Sequence, residues 1–267
     1  MQAARPSHRP LDPGIRLFPL KEAERTDVEP VDLELYQSAV GSLMYVMLGT
    51  RPDIAYAVGL VSQFNHSPLW EHWVAVKRIF RYLTGTRGLR LVYGNKDSSG
   101  AYSDADWGSG SDRKSVGGSV FLLNGAAVSW TSKKQTSIAL STTEAEYLAM
   151  TQAAKEIVWL RILLEELGAD AHVPQMSELY GDNQGALALA CNPEYHARTK
   201  HIDIQYHFIR ELVAAEKVYL KYCPSTDMIA DIMTKALPRT THDKLTMAMG
   251  MVGEARAPHR TLREGAC

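Results

Sequence analysis

The dipeptide Asn124-Gly125 sits between two alternating apolar runs, VGGSVFLL and AAVSWTS, and it is the strongest short-range signal in the chain. Asn and Gly both tolerate the left-handed backbone that a two-residue hairpin loop demands, so the flanking runs are expected to pair antiparallel. AYSDADW (101 to 107) alternates with the same period of two just upstream, which makes residues 101 to 132 three consecutive antiparallel strands. A long amphipathic helix follows from about Ser141 to Leu167, with Ser141 and Glu144 spaced as a capping box and Gly168 as its stop. Next come a strand at 177 to 182, a helix from about Asn183, another from Asp203 to Ala215, a strand at 217 to 223 and a helix at 227 to 237. The order β-β-β-α-β-α-α-β-α predicts an α/β fold: a mixed five-stranded sheet, three strands antiparallel and then two parallel through helical crossovers, flanked by helices.

Upstream of residue 89 the apolar period is helical. YQSAVGSLMYVMLGTRPDIAYAVGLVSQF is broken only at Arg51-Pro52, where the residue before proline is pushed off the helical region, so two packed helices are expected. A third should begin at Ser67-Pro68, a cap followed by proline at the first helical position, and run to Gly85. Five prolines fall in residues 1 to 35, and beyond Pro19 that segment is mostly charged, which reads as a flexible lead-in. The expected organisation is a lead-in at 1–35, a small mostly helical unit at 36–97, the α/β domain at 98–238, and a C-terminal helix and tail at 239–267.

Lys plus Arg total 29 against 30 for Asp plus Glu, so any nucleic-acid partner has to be held by local patches and not by global charge. Cys191, Cys223 and Cys267 are odd in number and never paired as CxxC, which excludes a disulfide framework or cysteine zinc site and points to a reducing compartment. The N-terminus has no apolar core of signal-peptide length, and no stretch approaches the roughly 20 apolar residues of a membrane span. Neither export nor membrane insertion is expected.

Four carboxylates occupy suggestive places: Asp104 in the first of the three strands, Glu146 one turn inside the long helix, Asp182 at the end of the fourth strand, and Asp231 in the helix after the fifth. Functional groups in open sheets gather at strand ends and adjacent helix starts. Taken singly, Asp182 could be a helix cap and Glu146 or Asp231 a solvated helix residue; Asp104 shares with Asp106 a strand type that is poor in Asp. Together they form a convergent set. Packed without a cation such groups repel, whereas with two divalent ions they become ligands, and oxygen-only ligation favours Mg²⁺ or Mn²⁺ over zinc.

YSDADWG, SWTSKKQTSIALSTTEAEYLAM, LYGDNQGALALACNPEYHARTKHIDIQYHFIRE and MIADIMTKAL closely resemble, in that order, the ribonuclease H domain of copia-type retrotransposon polyproteins. YQSAVGSLMYVMLGTRPDIAYAV also resembles the segment just upstream of that domain, so the likeness runs from about Tyr36 to Val252; the lead-in and EARAPHRTLREGAC resemble nothing comparable. The resemblance implies a ribonuclease H-like sheet and two-metal, Mg²⁺-dependent endonucleolytic hydrolysis of the RNA strand of RNA–DNA hybrids, with no small-molecule cofactor. It makes Asp104, Glu146, Asp182 and Asp231 both catalytic and metal-binding, Asp104 bridging the two ions. Many ribonucleases H carry a histidine before the last helix; here that loop is CPSTD (223 to 227), a departure that bears on rate and product release. An expected partner is the polymerase part of the same polyprotein, because the Tyr-x-Asp-Asp element of a polymerase centre is absent from this sequence.

Substrate contacts are expected from Arg113, Lys114 and Ser115, from Lys133, Lys134 and Gln135, and from Asn183 and Gln184, reading duplex shape and the 2′-hydroxyl and not base sequence. The basic cluster Lys77, Arg78 and Arg81 is a weaker candidate. His196, His201 and His207 are not spaced as zinc ligands on one helix face, and GSGSDR lacks the third glycine of a dinucleotide fingerprint. Rival readings are a non-catalytic nucleic-acid- or protein-binding remnant of the polyprotein and a different nuclease of the same fold. Compartment stays open between a cytoplasmic particle and the nucleus.

Overall fold

The computed structural model describes residues 4–19, 31–94, 99–108, 112–169, 177–191 and 203–253. Its centre is a five-stranded sheet of β2 (Gly100–Asp106), β3 (Val116–Leu123), β4 (Ala126–Lys134), β5 (Ser177–Gly181) and β6 (Val218–Tyr222), in the order β4-β3-β2-β5-β6. β2, β3 and β4 pair antiparallel, and β5 and β6 join parallel, as the sequence predicts. Asn124 and Gly125 form the two-residue loop between β3 and β4 with φ of 52° and 86°, the left-handed pair that a tight hairpin needs.

One face of the sheet is covered by α4 (Thr142–Glu166), α5 (Gln184–Cys191) and α6 (Asp203–Ala214). Tyr147, Met150, Ala154 and Ile157 of α4 meet Ala101, Phe121 and Leu179 of the strands, each fully buried side chain of Ile or Met size contributing about 1.5–3 kcal/mol. Ser141 caps α4 by accepting from the Glu144 N–H, but the Glu144 carboxylate reaches the Leu140 N–H one residue earlier than a capping box requires.

The other face is covered from both ends of the chain. α1 (Leu33–Gly49), α2 (Ala55–Ser62) and α3 (Trp70–Gly85) form the helical unit, and β1 (Arg90–Leu91) pairs antiparallel with β7 (Met251–Val252) just after α8 (Arg239–Ala248). Ala55 of α2 and Leu245, Met249 and Met251 share one core cluster with Val120, Leu122 and Met233, so packing is continuous across the unit boundaries expected at 97/98 and 238/239. A buried network reinforces that join. Arg51 donates from Nε and Nη2 to the two Asp53 carboxylate oxygens (2.8 and 2.7 Å), Tyr82 donates to Asp53 Oδ2 (2.6 Å), and His242 of α8 donates from Nε2 to the Asp53 carbonyl (3.1 Å).

Three expectations are corrected. Residues 4–19 of the lead-in are not loose: Leu11 is 2% exposed in the helical core, Asp12 pairs with Arg78 at 2.7 Å, and the Ser7 N–H donates to the Arg81 carbonyl. The third helix starts at Trp70 and not at Ser67, because His72 Nδ1 accepts from the Leu69 N–H and fixes the start there. The helix expected at 227–237 shrinks to a 3-10 turn at Ser225–Asp227 and the single turn α7 (Asp231–Thr234), between which Met228 turns extended. Met228, Ala230, Met233 and Thr234 are all fully buried, so the segment wedges beneath the sheet and presents no amphipathic face. Among the described residues no helix is long and apolar enough to cross a membrane.

Candidate active site

The strand pleat and the helix N-terminus bring three carboxylates together at one end of the sheet. Asp104 lies in the central strand β2, 3% exposed; Glu146 projects from the second turn of α4, 6% exposed; Asp182 follows directly on β5, half-buried. One carboxylate oxygen of each lies within 4.8 Å of the others. Glu146 Oε1 accepts from the Ala105 N–H at 3.2 Å, Asp182 Oδ2 accepts from the Ser225 hydroxyl at 2.7 Å, and the Thr234 hydroxyl donates to Asp104 Oδ2. Glu146 Oε2 is buried with no hydrogen-bond partner.

Asp231 opens α7 beside this trio and is 7% exposed. Its nearest cation is the Lys235 ammonium at 2.8 Å, which also lies 4.0 Å from Asp104. Burial, then the charge of Asp104, then that of Asp182, hold the Glu146 carboxyl far above the usual glutamate range. Burial and Asp104 raise Asp231 as well, against the opposing pull of Lys235. Burial alone would lower the Lys235 ammonium, but Asp104 and Asp231 keep it above its ordinary value. The trio is thus a hard-oxygen pocket in which burial and mutual repulsion disfavour the charged form of Glu146, and in which Glu146 Oε2 is buried without a hydrogen-bond partner. Such a donor set fits a divalent cation.

Sequence reading missed Thr234, Lys235 and Ser225. Thr234 and Lys235 stand three and four residues after Asp231, the spacing at which helical side chains become neighbours, and that was the available signal. Ser225 lies in the CPSTD loop, where only the lack of a histidine drew attention.

The expected substrate contacts divide. Arg113 and Gln184 are exposed, Arg113 on a left-handed backbone (φ 61°), and Lys114 is half-exposed. Ser115 is fully buried and accepts from the Gly108 N–H at 3.3 Å, so it braces the loop from within and offers no surface. Lys133, Lys134 and Gln135 line a cleft of about 390 Å³ between β3, β4 and α4. Lys134 is tied to Asp112 (2.9 Å) and Gln63 (3.1 Å), and Gln135 Nε2 donates to the Ala145 carbonyl. Asn183 Oδ1 accepts from the Ala186 N–H at 3.0 Å and so caps α5. Lys77 and Arg78 are occupied by Trp70 and Asp12. His207 is exposed on α6; His196, His201 and Cys267 lie outside the described residues.

A mixed sheet of this order with carboxylates converging at the ends of its central strands is the ribonuclease H-like α/β arrangement. The Pol polyprotein of transposon TNT 1-94 from Nicotiana tabacum is 45% identical over 257 residues, covering 94% of this chain and 19% of that protein. The Pol polyprotein of transposon RE1 from Arabidopsis thaliana is 41% identical over 254 residues, covering 94% of this chain and 17% of that protein. The chain belongs to this family, the retrovirus-related Pol polyproteins of copia-type transposons, and spans less than a fifth of the length of these relatives. Among solved structures, ribonuclease H1 of Halobacterium salinarum is similar with a TM-score of 0.37 and 18% identity, over 51% of this chain and 93% of that one. No family model matches the sequence.

Proposed function

We propose that the chain is a divalent-metal-dependent endonuclease that hydrolyses the RNA strand of RNA–DNA hybrids, the ribonuclease H part of a copia-type reverse transcriptase whose polymerase lies elsewhere in the polyprotein. The observation that carries this reading is the convergence of Asp104, Glu146 and Asp182 within 4.8 Å around an unpartnered, buried Glu146 oxygen. Asp104, Glu146, Asp182 and Asp231 would hold Mg²⁺ or Mn²⁺, which when bound supplies activation of the attacking water and stabilisation of the leaving 3′ oxygen. Thr234 orients Asp104, Ser225 orients Asp182, and the Ala105 N–H fixes the Glu146 carboxylate. Lys235 pairs with Asp231 at 2.8 Å and stands 4.0 Å from Asp104, opposing the burial that favours the neutral form of Asp231. Arg113, Lys133 and Gln184 remain exposed to meet the duplex backbone, and Lys114 is half-exposed beside them.

The test is cleavage of a labelled RNA strand annealed to DNA, in Mg²⁺, by the wild-type chain and by Asp182→Asn. Cutting by wild type alone supports the enzyme and one of its ligands together. A folded wild-type chain that leaves the RNA whole speaks for a non-catalytic remnant of the polyprotein.

A further inference from the structure

The second half of α4 is apolar on the face turned away from the sheet. Its inner row, Tyr147, Met150, Ala154 and Ile157, packs in the core, and a helix with one covered face is expected to be polar on the other. Gln152 and Lys155 follow that rule and are exposed. The next two turns do not: Trp159 is 53% exposed, Ile162 49% and Leu167 70%, with Leu163 half-buried among them. Lys155, Trp159, Ile162 and Glu166 fall at i, i+4, i+7 and i+11, one line along the helix opposite the core row. That line therefore reads as a cation, two apolar anchors and an anion. Neither Lys155 nor Glu166 has an ion-pair partner among the described residues; Lys155 only leans over the Phe208 ring of α6, 6.0 Å from its centroid.

We propose that this row is the interface of a homodimer, in which α4 of one copy lies antiparallel on α4 of a second. A twofold axis demands a patch that is complementary to itself. Turning the row end for end about a point between Leu160 and Arg161 sets Trp159 against Ile162 of the second copy and Lys155 against its Glu166, and both relations repeat in reverse. Laid parallel, the same row would put lysine on lysine and glutamate on glutamate. An unrelated partner would require no such end-to-end symmetry, so the symmetry itself selects a second copy of this chain. Trp159 near the centre is the kind of side chain that dominates the free energy of an enclosed interface, and the charged ends form its rim. Trp159 also lies thirteen residues beyond Glu146, about 20 Å along the helix axis, so the carboxylates of both copies stay open at opposite ends of the pair.

The experiment is sedimentation equilibrium of the full chain across the micromolar range. Wild type is expected to pass from monomer to dimer there, since two helices meeting over three turns form an interface at the low end of specific sizes. Trp159→Ser plus Ile162→Ser is expected to raise the dissociation constant at least about a hundredfold, because the anchors are lost from both copies. Lys155→Glu and Glu166→Lys are each expected to raise it about tenfold, because like charges then face each other twice. Mixed together, those two charge variants regain the opposite pairing, and their heterodimer is expected to form about as tightly as wild type. All four positions are exposed, and melting at a concentration where every variant is monomeric checks the fold. A wild-type chain that stays monomeric throughout, a dimer that survives the double serine variant, or a mixture no tighter than its components overturns the proposal. So does a dimer lost instead on Tyr45→Ser, at a residue 82% exposed on α1.

Discussion

Gly117 and Gly118 are neighbours on β3 that face opposite sides of the sheet, and a methyl group added to each should have opposite consequences. A Cβ on Gly118 would stand 2.5 Å from Met233 Cβ and 2.8 Å from Thr234 Cγ2, where carbon atoms normally rest about 3.5–4.0 Å apart. α7 would have to retreat by about 1 Å, at an overpacking cost of about 1–3 kcal/mol. The lost flexibility of the unfolded chain returns only about 0.4–1 kcal/mol, so Gly118→Ala is expected to be net destabilising. The same retreat draws Thr234 off Asp104 and carries Asp231 and Lys235 with it, and a displacement of this size at a catalytic group costs about a hundredfold in rate. On Gly117 the Cβ would meet Gln135 Nε2 at 3.5 Å and Ala149 Cβ at 3.7 Å, ordinary contact, so Gly117→Ala should leave stability and rate close to wild type. Urea denaturation reports the first effect as a lower midpoint at constant slope, and hybrid cleavage under single-turnover conditions reports the second. If the two variants behave alike in both assays, the close approach of α7 is not what sets the site.

Three further outcomes follow from the same structure. Because the folded, metal-free chain keeps on Glu146 a proton that the unfolded chain has released above the ordinary glutamate pKa, its stability should fall as pH rises through that range. A divalent ion has to displace the proton, so the Mn²⁺-induced rise in melting temperature should grow between about pH 5 and 8, and a pH-independent rise contradicts the buried carboxylate. Arg51→Met strands the Asp53 carboxylate, which is 2% exposed, and should cost about 3–5 kcal/mol in chemical denaturation; a loss below 1 kcal/mol, roughly the value of a surface pair, would show the network to be solvated. Residues 98–238 expressed alone lose Ala55, Leu245, Met249 and Met251 from the core around Val120 and Met233, and should be aggregation-prone without a cooperative unfolding transition; a soluble, cooperatively melting fragment refutes that dependence.

What the sequence made legible was local chemistry with its own signature. Asn124-Gly125 fixed the hairpin, Ser141 the start of α4, and alternation the central strands, while the order of elements placed Asp104, Glu146 and Asp182 at one end of a mixed sheet. What escaped it depends on partners distant in the chain. Residues 4–19 look uncommitted by composition because their partners are distant in the chain: Arg78, which pairs with Asp12, lies more than sixty residues away, and Leu11 joins the core of the helical unit. β1 and β7 are two residues each and gain strand character only from one another. The segment 227–237 has a helical pattern, yet burial beneath β3, where the missing side chain of Gly118 leaves room for Met233 and Thr234, leaves it one turn of helix. Ser115 carried the polarity of a substrate contact, and only its complete burial shows it to be a brace.

The most direct test of the nuclease account sets four labelled duplexes of one sequence side by side: RNA–DNA hybrid with the label on either strand, RNA duplex and DNA duplex, with Mg²⁺ and with EDTA, against wild type and Asp104→Asn. The account predicts cutting of the RNA strand of the hybrid alone, only with Mg²⁺ and only by wild type. Cutting of DNA, cutting in EDTA, or equal cutting by Asp104→Asn would contradict it.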